Sequence, residues 1–173
     1  MNVDLIIMGS KGHSEFEEII IGSNTEKVVR SSKTPVIVIK KDAEKFKLKN
    51  LVFASNFKKE NKEIFKKFVN FANTFNSKIH LLKVNTPNNF HTTSKTITQI
   101  EDFIEGFHLP KHTINIYNDI SIEKGILNFS KEILADIIAL GTHGRSGLSH
   151  LFTKSIAKNL SKNSLTPMLT IKI

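Results

Sequence analysis

The sequence predicts an α/β fold, with an open, parallel five-stranded sheet, helices on both faces and a βαβ remnant of a second copy. Three observations support this prediction. Short continuous apolar runs are typical of strands buried on both faces. They alternate with longer segments in which apolar residues recur every three or four positions, as in amphipathic helices. The opening of the chain also repeats the pattern of its end. Such alternation indicates a parallel sheet with right-handed crossovers.

The elements follow one another regularly along the complete unit. Its strands are predicted at Asn50–Ala54, Lys78–Val84, Thr113–Tyr117, Asp136–Leu140 and Met168–Ile171. Three helices are predicted from apolar stripes: Ile64, Phe68, Phe71, Ala72 and Phe75; Ile97, Ile100, Ile104 and Phe107; Ile122, Ile126, Phe129 and Ile133. Ser121 is expected to cap the third of them. A fourth helix is predicted at Leu148–Ser161, with Leu151, Phe152, Ile156 and Leu160 as its apolar residues.

An internal repeat sets the domain organisation. Asp4–Lys40 aligns without gaps on Asp136–Lys172, with about 11 of 37 positions identical. Both segments share an apolar run, Gly-x-x-Gly, a helical segment, Thr-Pro and a second apolar run. We expect the end of a first domain at residues 1–41, a linker at 42–47 and a complete domain at 48–173. The simplest explanation is a tandem protein whose first domain lacks its front half, and a free-standing chain of this form is the alternative.

Composition narrows the possible functions. The 173 residues contain no Cys, which excludes disulfides and thiolate metal sites, and we expect no metal. No apolar run is long enough to span a membrane and no signal peptide is visible, so a cytoplasmic protein without a membrane partner is expected. The formal net charge is +9, but acidic residues are interleaved with the basic ones. A nucleic-acid partner is therefore not expected.

The glycine loops are the segments that point to chemistry. In both copies an apolar strand leads directly into Gly-x-x-Gly, where backbone N–H groups can approach an anion. In the first copy, Gly9-Ser10-Lys11-Gly12 is followed by Gly22-Ser23-Asn24-Thr25 at the start of a predicted helix. A helix N-terminus adds positive charge there. A phosphate site is favoured by the full spacing, and a tight turn followed by an ordinary helix cap is the alternative.

These residues resemble the universal stress protein family. The similarity rests on Gly-x-x-Gly-x9-Gly-Ser, on Pro-Val-Ile-Val-Ile, on DIIALGTHGRSGL in the second copy, on NLVFASNF and on Asp119 ahead of its helix. It implies a Rossmann-like fold of the adenine nucleotide alpha hydrolase type and an ATP site. In the first copy, the resemblance assigns the phosphate side to Met8, Gly9, Lys11, Gly12, Gly22, Ser23, Asn24 and Thr25. The adenine side would belong to the missing front half, so tight binding is not expected there.

The second copy departs from the family at two positions. Asn56 stands where the family's nucleotide binders have an acidic residue, and Lys154, followed by Ser155, replaces the third glycine. By resemblance, Val84 and Leu140 would line the base and ribose side. Gly141, His143 and Gly144 would lie near the phosphates. Both a degenerate nucleotide site and a domain kept for packing or pairing remain open.

The resemblance favours a stress-associated regulatory binding module over an enzyme. A slow ATPase and a scaffold that acts by dimerisation without nucleotide are the alternatives. No P-loop motif is present, and no Ser-His-Asp order supports a hydrolase. The family pairs through its last strands, which here are Val36–Ile39 and Met168–Ile171, and these two strands can meet within one chain. We also expect the edge of the Leu5–Met8 strand to be unpaired and to favour self-association.

Overall fold

Seven strands form one sheet in the computed structural model, which describes residues 3–9, 23–39, 46–142 and 166–172. Their spatial order is β1-β2-β7-β6-β3-β4-β5. The strands are β1 Ile6–Gly9, β2 Val36–Ile39, β3 Asn50–Ala54, β4 Lys78–Asn85, β5 His112–Asn118, β6 Ile137–Thr142 and β7 Met168–Lys172. The helices are α1 Ser23–Ser31, α2 Lys62–Thr74, α3 Thr93–Ile104 and α4 Ile122–Glu132. Among the described residues, no helix is long and apolar enough to cross a membrane.

The five predicted strands of the complete unit lie side by side and run parallel. β3 pairs with β4 and β6, β4 also pairs with β5, and β6 also pairs with β7. The α/β class and the parallel sheet are thereby confirmed, with strand ends that differ from the predicted ones by at most two residues. The predicted helix at Leu148–Ser161 lies outside the described residues.

The opening segment continues the same sheet. β1 and β2 are parallel to each other, and β2 joins β7 in the antiparallel sense, with Ile37 opposite Leu169. The Thr170 hydroxyl crosses this junction and donates a hydrogen bond of 3.3 Å to the Val36 carbonyl. The last strands of the two copies therefore pair with each other inside one chain.

Two apolar clusters cover opposite faces of the sheet. The α2–α3 face contains Phe53, Phe65 and Phe68, which are at most 1% exposed. The α4 face contains Val52, Leu82, Ile126 and Phe129. Because β3, β4, β5, β6 and β7 are parallel, their carboxyl ends lie at one edge of the sheet, whereas those of β1 and β2 lie at the opposite edge.

The buried surface of α2 is wider than the predicted apolar stripe. Phe65 is fully buried although it lies beside the stripe, since its ring contacts Phe103 and Phe107 with centroids about 5 Å away. Phe75 was predicted to be part of the stripe, but it follows the last residue of α2 and is 46% exposed. A helix placed between a sheet and a second helix buries more than one row of side chains.

Two helix caps are visible as hydrogen bonds, and the one at Ser121 was predicted. The Ser121 hydroxyl accepts from the backbone N–H of Lys124 at 3.2 Å, as expected for the N-cap of α4. Thr92 caps α3 in the same way through Lys95, at 3.4 Å. Both helices thereby start at defined residues.

Candidate functional site

The strand order of the complete unit reverses between β3 and β6. The chain passes from β3 outward to β4 and β5, and then returns to β6 and β7 on the other side. In open α/β sheets, ligands bind beyond the carboxyl ends of the strands at such a reversal. The residues that follow β3 and β6 are therefore the ones to inspect, together with the equivalent end of β1.

In the first copy, one hydrogen bond joins the strand to the helix that follows the glycine loop. Gly9 is the last residue of β1, and its carbonyl oxygen accepts from the Thr25 hydroxyl at 3.1 Å. Thr25 is 5% exposed, whereas its neighbour Asn24 is exposed. The first turn of α1 is thus held at the carboxyl end of β1. Met8 lies one residue earlier on the strand, half-buried and opposite Val38.

Several predicted residues of this loop cannot be placed. Lys11, Gly12 and Gly22 lie outside the described residues, and for Ser23 only the backbone, which opens α1, is described. Of the predicted set, the structure brings together Gly9 and Thr25. The Thr25 hydroxyl donates its hydrogen bond to the strand, and its assignment to the phosphate side stays a prediction.

The second copy has the same strand register at the same positions of the repeat. Gly141 is opposite Ile171 just as Gly9 is opposite Ile39. In addition, the N–H of Ile138 donates to Pro167 at 3.0 Å, and that of Ile6 donates to Pro35 at 2.9 Å. The predicted residues His143, Gly144, Lys154 and Ser155 lie outside the described residues.

Packing gives Gly141 a role that the sequence did not reveal. A Cβ atom on this residue would lie 2.7 Å from Cδ1 and 2.9 Å from Cγ2 of Ile64, the fully buried side chain near the start of α2. The absence of a side chain at Gly141 lets α2 approach the sheet. No sequence signal could have shown this, because the contact joins residues far apart in the chain.

Asn56 has a structural role in the turn after β3. Its Oδ1 atom accepts from the backbone N–H of Lys58 at 3.1 Å and from the side-chain amide of Asn61 at 2.7 Å. Its main-chain carbonyl accepts from the Gln99 side chain at 2.9 Å. The oxygen that was predicted to contact a base is therefore already bonded within the turn.

Val84 and Leu140 lie in the core rather than on an open surface. They are 6% and 1% exposed and belong to the cluster beneath α4. A Cβ atom on Gly125 of α4 would lie 2.5 Å from Val84 Cγ1, which shows how closely helix and strand approach. The side chains predicted to line the base and ribose are thus covered by α4.

A buried histidine forms a polar network away from the glycine loops. His80 on β4 is 6% exposed, with Nε2 at 3.3 Å from Asn50 Oδ1 and Nδ1 at 2.9 Å from Thr113 Oγ1. Burial, with a smaller contribution from Lys78, lowers the pKa of His80 below its ordinary 6.5. Both ring nitrogens have partners, so this residue is a structural part of the sheet.

In the described part of the chain, no group of three or more metal-ligating side chains is present.

Three comparisons relate this architecture to known proteins. The family model described as "Universal stress protein family" matches residues 1–40 and 113–172. The universal stress protein Slr1230 of Synechocystis is 22% identical over 98% of this chain and 58% of its own length. A crystal structure of a universal stress protein from Archaeoglobus fulgidus covers 99% of this chain, with a TM-score of 0.72 and 24% identity.

A shorter solved structure matches one part of the chain. It is described as a universal stress protein in complex with cAMP, and the match covers 71% of this chain and 95% of that one. Its TM-score is 0.56 and its sequence identity is 14%, so it compares the fold alone. This chain spans less than two thirds of the Synechocystis and Archaeoglobus proteins, at 58% and 63% of their lengths. Since the family model matches more than half of its residues, the chain belongs to the universal stress protein family.

Proposed function

We propose that this chain is a non-catalytic, regulatory binding protein that holds the phosphates of an adenine nucleotide at the glycine loop after β1. The observation that carries the proposal is the hydrogen bond from Thr25 to the carbonyl of Gly9. It fixes the start of α1 beside the end of β1. A ligand at this edge of the sheet would face both the strand end and the helix start.

The start of α1 is suited to an anion. The first N–H groups of a helix have no partner within it, and the helix dipole places partial positive charge at the same end. Together these features form an anion site at a helix N-terminus that follows a glycine loop. Asn24 is exposed in this first turn, and Lys11 adds a cation to the loop in the sequence.

Membership of the family supports a nucleotide as the anion. A solved family member is in complex with cAMP, an adenine nucleotide. The first copy retains the complete spacing of the loop, Gly9 through Thr25. The chain contains no cysteine, which is consistent with the reducing cytoplasm that we propose as its location.

The residues that were predicted to line the base determine which nucleotides we expect to bind. In the second copy, the oxygen of Asn56 is bonded within its own turn, and Val84 and Leu140 are covered by α4. Recognition of the base by these side chains has no support, so we expect the phosphates to supply most of the affinity. The chain should then bind different nucleoside triphosphates with similar affinity.

Calorimetric titration of the whole chain tests this function. ATP, GTP and tripolyphosphate are expected to bind with affinities within about fivefold of one another, since they share the phosphate chain, and adenosine is expected not to bind. Lys11→Gln should weaken all three, whereas Lys33→Gln, a control at an exposed position after α1, should not. No heat with millimolar ATP would overturn the proposal. Steady release of phosphate from bound ATP would favour the slow ATPase instead.

A second candidate function, a scaffold that pairs with a second copy, is favoured by the edge of the sheet. β1 pairs with β2 on one side, and among the described strands none lies on the other. The backbone N–H of Ile6 donates toward the β2 side, so the backbone N–H and C=O groups of the next residue, Ile7, point away from β2. The Ile7 side chain is also 57% exposed. We propose that two copies pair through this edge, with their β1 strands antiparallel across a two-fold axis.

A further inference from the structure

A cavity of about 550 Å³ opens on the α2–α3 side of the molecule. It lies between the β3–α2 connection and α3. Its lining residues are Phe57, Lys59, Lys62, Lys95, Thr98, Gln99, Asp102 and Phe103. All of them lie between positions 57 and 103, so the cavity belongs to neither glycine loop. Its volume is within the range of sites for small molecules.

Three of the lining residues are lysines from separate elements. Lys59 lies in a 3₁₀ turn before α2, Lys62 is the first residue of α2, and Lys95 lies in the first turn of α3. The first turn of α3 contains no acidic residue. Cations at the start of a helix are disfavoured by its dipole. Acidic residues stand beside the first two lysines in the sequence, Glu60 in the 3₁₀ turn and Glu63 in the first turn of α2, so Lys95 is the lysine whose helix start has no carboxylate.

Asp102 supplies the one carboxylate among the lining residues, and its side chain does not hold Lys62. The Lys62 ammonium instead donates to the main-chain carbonyl of Asp102, at 3.4 Å. Arg30 and Glu26 form an ion pair of 3.8 Å on α1, an element that does not line this cavity. Three lysines and one carboxylate line the cavity, so its lining residues have a positive formal charge.

A buried lysine increases the positive charge on the same face. Lys83 on β4 is 5% exposed, and the alternation of the strand places it on the side of Ile79 and Leu81, under α2 and α3. Burial, together with the nearby Lys58 cation, lowers the pKa of Lys83. Lys58 is adjacent in sequence to the cavity residue Lys59. Lys58 and Lys83 lie outside the cavity lining, and they add to the positive charge of this face.

The other lining residues give the cavity an apolar side and a hydroxyl group. Phe57 and Phe103 pack edge to face with ring centroids 5.4 Å apart, and they form the apolar side of the cavity. Thr98 supplies a hydroxyl group on the α3 side. We propose that this cavity binds a small organic anion, whose phosphate or carboxylate contacts the three lysines while its aromatic or aliphatic body covers the two phenylalanines.

Phenyl phosphate is a suitable probe, because it combines a ring with a dianion. In a ¹H–¹⁵N NMR titration of the whole chain, we expect it to shift the amide signals of residues 57–62 and 95–103. Inorganic phosphate should shift the same signals with weaker affinity, and phenol should not shift them. Shifts at Gly9 and Thr25 would instead report the glycine loop, which makes the two sites distinguishable. Phenyl phosphate shifts confined to that loop, or absent, would overturn the inference.

Variants test the lysines separately from folding. The triple change Lys59→Gln, Lys62→Gln and Lys95→Gln should weaken phenyl phosphate binding by about tenfold, since three partly exposed ion pairs are removed. Lys66→Gln, Lys111→Gln and Lys131→Gln remove the same charge at exposed positions outside the cavity. Asp102→Asn should strengthen binding, a result that a folding defect cannot produce. Equal binding by the two triple variants, or weaker binding by Asp102→Asn, would contradict the proposal.

Discussion

At the scale of single residues, Gly141 combines a predicted ligand contact with an observed packing contact. Its position at the end of β6 was predicted to serve phosphate, yet Ile64 fills the space that its side chain would occupy. We expect Gly141→Ala to lower the free energy of unfolding by about 1–3 kcal/mol, because overpacked cores distort their neighbours. Chemical denaturation measures this change.

The control for this substitution is a double-mutant cycle with Ile64→Ala. The second change removes the atoms that a Cβ at position 141 would meet, so the double variant should lose less stability than the sum of the single variants. If Gly141→Ala alone leaves stability unchanged, packing does not require the glycine, and a ligand is then the remaining reason for it.

His80 predicts a dependence of stability on pH. Its pKa is lowered in the folded state, so the unfolded chain takes up the proton first as the pH falls. The contribution of neutral His80 is complete above its ordinary pKa of 6.5 and is lost below it, toward the folded-state pKa. The free energy of unfolding should therefore fall more steeply between neutral and mildly acidic pH in the wild type than in His80→Gln. Parallel slopes in the two proteins would show that His80 does not couple to folding.

At the scale of elements, the hydrogen bond between Thr25 of α1 and Gly9 of β1 holds together the two parts of the proposed phosphate site. Thr25→Val removes the hydroxyl that donates to Gly9 while keeping the side-chain shape. We expect a loss of about 1 kcal/mol in the stability of α1 against local opening, as for a typical hydrogen bond, and weaker ATP binding. Hydrogen exchange of the α1 amides measures the first effect and calorimetry the second.

Thr74→Val is the matched control for this change. The Thr74 hydroxyl also donates to a backbone carbonyl, that of Asn70, but on the exposed side of α2. It should leave both α1 exchange and ATP binding unchanged. Equal effects of the two substitutions would mean that Thr25 has no special role at the loop.

The elements themselves were largely predictable from local pattern. Continuous apolar runs located β2 and β3 at their observed residues, and Ser121 was correctly expected to cap α4. The burial of Phe65 and the exposure of Phe75 were not predicted, because they depend on how α3 and the sheet enclose α2. The spacing of apolar residues predicts which face of a helix packs on the sheet. It says less about a face that packs against a second helix.

The site was less predictable than the elements. The spacing grouped the Gly9 strand end with the start of α1, and the structure joins them by the hydrogen bond from Thr25, while their role toward phosphate stays a prediction. The resemblance could not show the contacts that Asn56, Val84 and Leu140 make within the chain, since these depend on Asn61 and on α4; their roles toward a ligand stay predictions. The lysine-lined cavity had no sequence signal, because its three cations come from separate elements.

At the scale of the whole molecule, the described strands form one continuous sheet, and its β1 edge, which pairs with no other described strand, predicts assembly. The last strands of the two copies pair within the chain, so β1 and β5 are the edge strands of the described sheet, and we expect β1 to accept another copy. Light scattering after size exclusion should give about twice the 19.5 kDa of one chain. Ile7→Lys should give one chain mass, because a charge at this edge opposes pairing.

Ile120→Lys is the matched control, since Ile120 is 69% exposed and lies outside the strands. It should retain the mass of the wild type. A wild-type protein that stays a single chain at the concentrations used for binding assays would contradict pairing through β1. Nucleotide binding would then be left as the function to test.

Titration of the ¹⁵N-labelled chain with ATP, followed by NMR, tests the central claim most directly. A phosphate site at the first glycine loop predicts saturable shifts centred on the amides of Gly9 and Ser23–Thr25, reproduced by tripolyphosphate and weakened by Thr25→Val. The claim is contradicted if ATP leaves these amides unshifted while the protein is folded, or shifts other parts of the chain alone.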